Sequence, residues 1–156
     1  MKMNELNPGS FAEVLVGTWQ LFLREDRTES GVLHPDPSLG EKPIGLLVYD
    51  AGGRFSAQFM KQDRSDESLA ADAGEISGHN NSRAMNGYDA YFGSYTVEED
   101  THLVTQILEG ALSPENVGMV VTRPMSIDGD QLTLRLPTTA VDGESVVRTL
   151  KWRRVA

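Results

Sequence analysis

The chain has 156 residues, with 14 Lys plus Arg against 23 Asp plus Glu, a formal charge of -9 and no cysteine. That length fits a single domain over residues 1–156 whose core needs no covalent staples. The missing thiols exclude disulfides, thiolate metal sites and a cysteine nucleophile, while the acidic balance argues against nucleic acid or an anionic membrane as a partner.

Residues 1–9 are polar, end in Pro8-Gly9 and are expected to be flexible. They lack the apolar stretch of a secretory signal, and no run in the chain is long enough for membrane insertion. With no cysteine to oxidise, cytoplasmic residence is the default expectation. Ser10 to Val16 reads as a short helix: Ser10 can cap it, Phe11, Val14 and Leu15 share a face, and Gly17 ends it. The first strand is predicted over Thr18–Arg24, with Trp19, Leu21 and Leu23 on one face and Gln20, Phe22 and Arg24 on the other. Glu25 to Lys42, broken by Pro35, Pro37 and Gly40, reads as a long loop at a barrel mouth.

Pro43–Tyr49 and Arg54–Met60 form a hairpin around Asp50-Ala51-Gly52-Gly53, the strongest local signal in the chain. Lys61 to Gly87 is polar and poor in strand formers. So long an excursion reads as a lid, a binding loop or a disordered segment, with helical turns expected at Ser68–Ala73 and Ser82–Tyr88. Strands resume at Tyr91–Val97 and His102–Leu108, joined by Glu98 to Thr101. Gly118–Ile127 carries Pro124, which predicts a bulge or an edge there. Asp128-Gly129-Asp130 is a second strong turn, and Gln131–Leu136 and Val146–Val155 complete eight strands. Eight short antiparallel strands make an all-β domain, either a closed barrel or a two-sheet sandwich; periodicity does not choose between them.

No motif for known chemistry stands out. His34, His79 and His102 have no metal-ligand spacing, and a metal site is not expected. No Gly-x-Ser-x-Gly elbow exists, and Gly52-Gly53-Arg54 is explained by its hairpin rather than by phosphate binding. No catalytic residue and no cofactor is assigned.

Several stretches, in order, resemble the bacterial and fungal lipocalin-like domain family. They are Leu15-Val16-Gly17-Thr18-Trp19; Pro43 to Tyr49 followed by Gly53 to Gln58; Tyr91-Phe92-Gly93-Ser94-Tyr95; Glu109-Gly110 through Pro114 and Gly118 to Arg123; Gly129 to Leu134; and Leu150 to Arg154. The resemblance spans Leu15 to Val155 and implies an eight-stranded antiparallel barrel with a central cavity, a short N-terminal helix and a partly helical lid loop. One departure is Gln106-Ile107, where similar domains often carry histidine. Within such a barrel Trp19 is expected to plug the floor and to stack against Arg154 of the last strand.

The candidate ligand-binding residues are Tyr91, Tyr95, Phe55, Gln58, Arg123 and Arg148, which are polar or aromatic groups inside strands. Arg148 shares a face with Leu150 and Trp152. Either it is internal and needs an acidic partner, for which Glu109 is the candidate, or the strand twists and leaves it exposed, which is the more common case. Arg123 is either a surface arginine or a clamp for a ligand carboxylate. The leading expectation is a protein, monomer or homodimer, that binds a small apolar or amphipathic molecule in the cavity. The alternatives are a cofactor-free cyclase or isomerase of a natural-product pathway and a structural module with a filled barrel.

Overall fold

The computed structural model describes residues 9–36, 38–67, 84–140 and 142–156. The chain makes eight antiparallel strands: β1 (Gly17–Arg27), β2 (Ile44–Tyr49), β3 (Arg54–Met60), β4 (Tyr88–Glu98), β5 (Leu103–Ala111), β6 (Val120–Asp128), β7 (Gln131–Thr139) and β8 (Ser145–Arg154). Each pairs with the next, and β8 pairs back on β1, so the sheet closes into a barrel and the sandwich alternative falls. Closure gives every strand a partner on each side and leaves one interior to fill.

The turns form where their residues favour them. In the β2–β3 hairpin the Asp50 carboxylate accepts from the Arg54 N–H at 2.8 Å, and Gly53 adopts φ 89°. The described part of Ser82–Tyr88 is not a helical turn. Asn86 and Gly87 both take positive φ, and Met85 and Tyr88 exchange backbone hydrogen bonds around them. Ser68–Ala73 and most of the Lys61–Gly87 excursion lie outside the described residues.

Three hairpin turns and a short helix, α1 (Phe11–Leu15), gather at one end of the barrel, the floor. Ser10 Oγ accepts from the Glu13 N–H at 3.1 Å. The Glu99 carboxylate accepts from the N–H groups of Phe11 and Ala12, placing negative charge at the helix start. A helix of one turn has no stability of its own; buried Phe11 and Leu15, with Phe11 stacked on His102 at 4.2 Å, tie it to the floor. The strand ends joined by the β1–β2, β3–β4, β5–β6 and β7–β8 connections lie at the other end, the mouth. No helix among the described residues is long and apolar enough to cross a membrane.

Two irregularities position the interior. The first is a bulge in β1: Leu21 pairs with Trp152, but Leu23 pairs with Lys151 and Arg24 with Leu150. Phe22 is the extra residue and lies outside, under the Arg153 guanidinium. Beyond it the alternation inverts, so Leu23 faces outward while Arg24 and Asp26 turn inward. The expected assignment of Leu23 to the inner face and Arg24 to the outer is therefore reversed. The second is at Pro124. Strand β6 pairs with β5 over Val120–Pro124 but with β7 only over Met125–Asp128, so above Met125 the two strands part toward the mouth.

Candidate functional site

The floor is solid. Trp19 is fully buried and donates from Nε1 to the Leu15 carbonyl at 3.0 Å. The Arg154 guanidinium stacks over its ring at 4.2 Å and donates to the carbonyls of Val14 and Val16, at the end of α1. Glycine is required at position 17: its φ is 149°, and a Cβ there would lie 2.5 Å from Arg154 Nη1.

Above this plug the barrel holds a cavity of about 60 Å³. Leu47, Ala57, Phe59, Met125, Leu150 and Trp152 give it an apolar wall. Its polar groups are Tyr49, Tyr91, Gln106 and Thr138, and three guanidiniums, those of Arg24, Arg123 and Arg148. Leu39, from the β1–β2 loop and 1% exposed, reaches into it from the mouth.

The six candidate residues separate into three groups. Tyr91, Arg123 and Arg148 line the cavity. Phe55 and Tyr95 point inward but lie nearer the floor, where each packs against Tyr49. The Tyr95 hydroxyl donates to the Asp50 carbonyl at 2.6 Å, which fixes it to the β2–β3 turn. Gln58 lies on the outer face of β3 and is exposed, outside the cavity.

Arg148 is buried, not exposed, and Glu109 is not its partner. Glu109 lies outside the barrel and binds Arg54. Arg148 instead makes a two-pronged pair with Asp26 across β1 and β8, at 2.9 and 3.0 Å. Sequence periodicity hid Asp26 because the β1 bulge alone brings it inside. Arg24, turned inward by the same bulge, donates to Asp36 of the β1–β2 loop at 2.6 Å.

Burial sets the protonation of the interior. It pushes the Tyr49 and Tyr91 hydroxyls above the ordinary tyrosine range, so neither ionises near neutrality. Burial acts against the charge of Arg24, and the nearby Arg148 adds to the effect; Asp36 and Asp26 oppose it. On β4, Asp89 is 0% exposed, and neither carboxylate oxygen has a well-formed hydrogen bond. Burial raises it to about 7, against smaller opposing effects of the Ala90 N–H and Arg24. Asp89 carries no motif, and only its placement on the inner face next to Tyr91 singles it out.

At the rim, His34 is not merely solvated. Its Nε2 lies 3.0 Å from Asp142 and its Nδ1 3.6 Å from Glu144. The two carboxylates meet opposite ring nitrogens, so the imidazole bridges the β1–β2 and β7–β8 loops.

A family model described as a lipocalin-like domain matches residues 16–155. No curated protein matches the chain.

Proposed function

The chain belongs to the lipocalin-like domain family, and from that premise we propose that it binds one small apolar or amphipathic molecule in its barrel. The observation that carries this reading is the cavity above the Trp19 plug, apolar over most of its wall and furnished with a few oriented polar groups. Tyr91, Arg123 and Arg148, with Arg24 beside them, are the ligand-contacting groups on this reading. About 60 Å³ of the cavity is open, room for roughly four waters. A ligand of useful size therefore takes the place of Leu39, which enters from a loop rather than from the barrel wall. The parting of β6 and β7 near Arg123 offers a second way in.

A saturable titration with an environment-sensitive apolar dye tests this reading. The wild-type protein is expected to bind one equivalent. Ala57→Ile, which fills the cavity from β3, is expected to weaken binding by about ten-fold or more. Equal binding by both proteins would place the dye elsewhere and overturn the proposal.

A cofactor-free cyclisation or isomerisation in the same space is the second reading. On this reading Tyr91, Arg123 and Arg148, which line the cavity, would orient the substrate and stabilise charge; Asp89 is buried beside Tyr91 but does not line the cavity.

A further inference from the structure

Asp36, Ser38 and Leu39 of the β1–β2 loop sit at the mouth as an amphipathic ligand would. Asp36 presents a carboxylate to buried Arg24, with Oδ2 2.6 Å from Nη1. Ser38 holds that carboxylate in aim by donating its N–H and its hydroxyl to Oδ1, at 2.9 and 2.6 Å. Leu39 then fills the apolar space inside. A carboxylate on a guanidinium with an alkyl group beneath it is the chemistry of a short organic acid.

The wall also has donors that this segment leaves over. Among the described residues, Arg24 Nη2 and Trp152 Nε1 are buried without a hydrogen-bond partner, and both side chains line the cavity. Each seeks an acceptor, because a buried donor left unmatched has lost its hydrogen bonds to water without replacement. Three guanidiniums line the cavity and, among the described residues, no carboxylate does. Arg24 and Arg123 each lie within electrostatic reach of Arg148, so an entering anion relieves a repulsion already present. Asp26 remains committed to Arg148.

We propose that the cavity takes a monocarboxylic acid with a short aliphatic tail. Its carboxylate binds Arg24 and its tail occupies the space that Leu39 fills, so Asp36 and Leu39 form a built-in competitor that the ligand displaces. This rests on the cavity-binding reading above and deepens it.

Octanoate and its neutral isostere octanamide separate the two readings when titrated near neutral pH by displacement of the dye and by the change in intrinsic tryptophan fluorescence. Wild-type protein is expected to favour octanoate by about ten-fold or more, the scale of a buried charge-assisted contact. Arg24→Met is expected to remove most of that preference while octanamide still binds. Asp36→Asn is expected to raise the preference several-fold, because it frees Arg24 of its internal carboxylate; a merely structural Asp36 would not shift the ratio. Equal binding of acid and amide to the wild type, with dye binding still saturable, overturns the inference and leaves the cavity reading standing. Failure of dye, acid and amide alike overturns both. Should Arg24→Met fail to fold, an unchanged or lowered ratio in Asp36→Asn is decisive against the proposal.

Discussion

At the scale of single residues, the Gly17-x-Trp19 opening is a packing device. Arg154 needs the missing Cβ of Gly17 to lie flat on Trp19 and to reach the carbonyls at the end of α1. Lysine cannot reproduce a flat stack together with two directed hydrogen bonds. Arg154→Lys is therefore expected to cost about 2 kcal/mol in urea unfolding, with little change in ligand affinity, because the site lies above the plug. Asp89 makes a pH prediction. Its carboxyl is raised from 3.8 to about 7 on folding. Between those values the folded protein keeps a proton that the unfolded chain has released, so stability falls as pH rises through this window. The loss is complete above the folded value and amounts to up to roughly 4 kcal/mol. Asp36 is held below the usual carboxylate range, so its contribution is lost only under more acid conditions. Asp89→Asn should flatten the decline and make the variant more stable than wild type above neutrality, as read from urea midpoints across pH. A parallel decline in both proteins would refute this account.

At the scale of elements, the β1 bulge decides the chemistry of the interior. Without the extra residue at Phe22, Arg24 and Asp26 would face solvent and the cavity would hold Leu23 instead. The bulge brings in one charge pair directly, Asp26 with Arg148 across β1 and β8, and supplies Arg24 for Asp36. Removing one partner of a buried pair leaves the other uncompensated. Arg148→Met is thus expected to destabilise by about 3–5 kcal/mol, and Asp26→Asn in the same chain to restore part of it, as a double-mutant cycle would show. Additive losses would mean that the two groups do not interact.

At the scale of the whole molecule, a closed barrel with a solid floor and an unfilled interior leaves stability unused. Ala57→Ile, proposed above as a blocking variant, is expected to gain about 1–2 kcal/mol by filling the cavity. A rise in urea midpoint together with lost dye binding would show that the space is kept for use. A fall in stability would show that the wall is already packed to its limit.

Most of the architecture was legible in the chain alone. Eight alternating runs, the Asp50–Gly53 and Asp128–Asp130 turns and the capped helix follow from local residue chemistry and from period-two patterning, whereas the Trp19–Arg154 contact follows from the barrel that the family resemblance implies. The Asn86-Gly87 turn was equally local and was available to the same reasoning. Closure was not, because a sandwich has the same alternation. Nor was the identity of the interior charges. A bulge inserts one residue without disturbing composition, yet reverses every side chain beyond it. Only the pairing of β1 with β8 brings Arg24 and Asp26 inside. Only the path of the β1–β2 loop brings Asp36 and Leu39 to the mouth, since contacts between residues distant in sequence are fixed by the closed sheet and not by their neighbours in the chain.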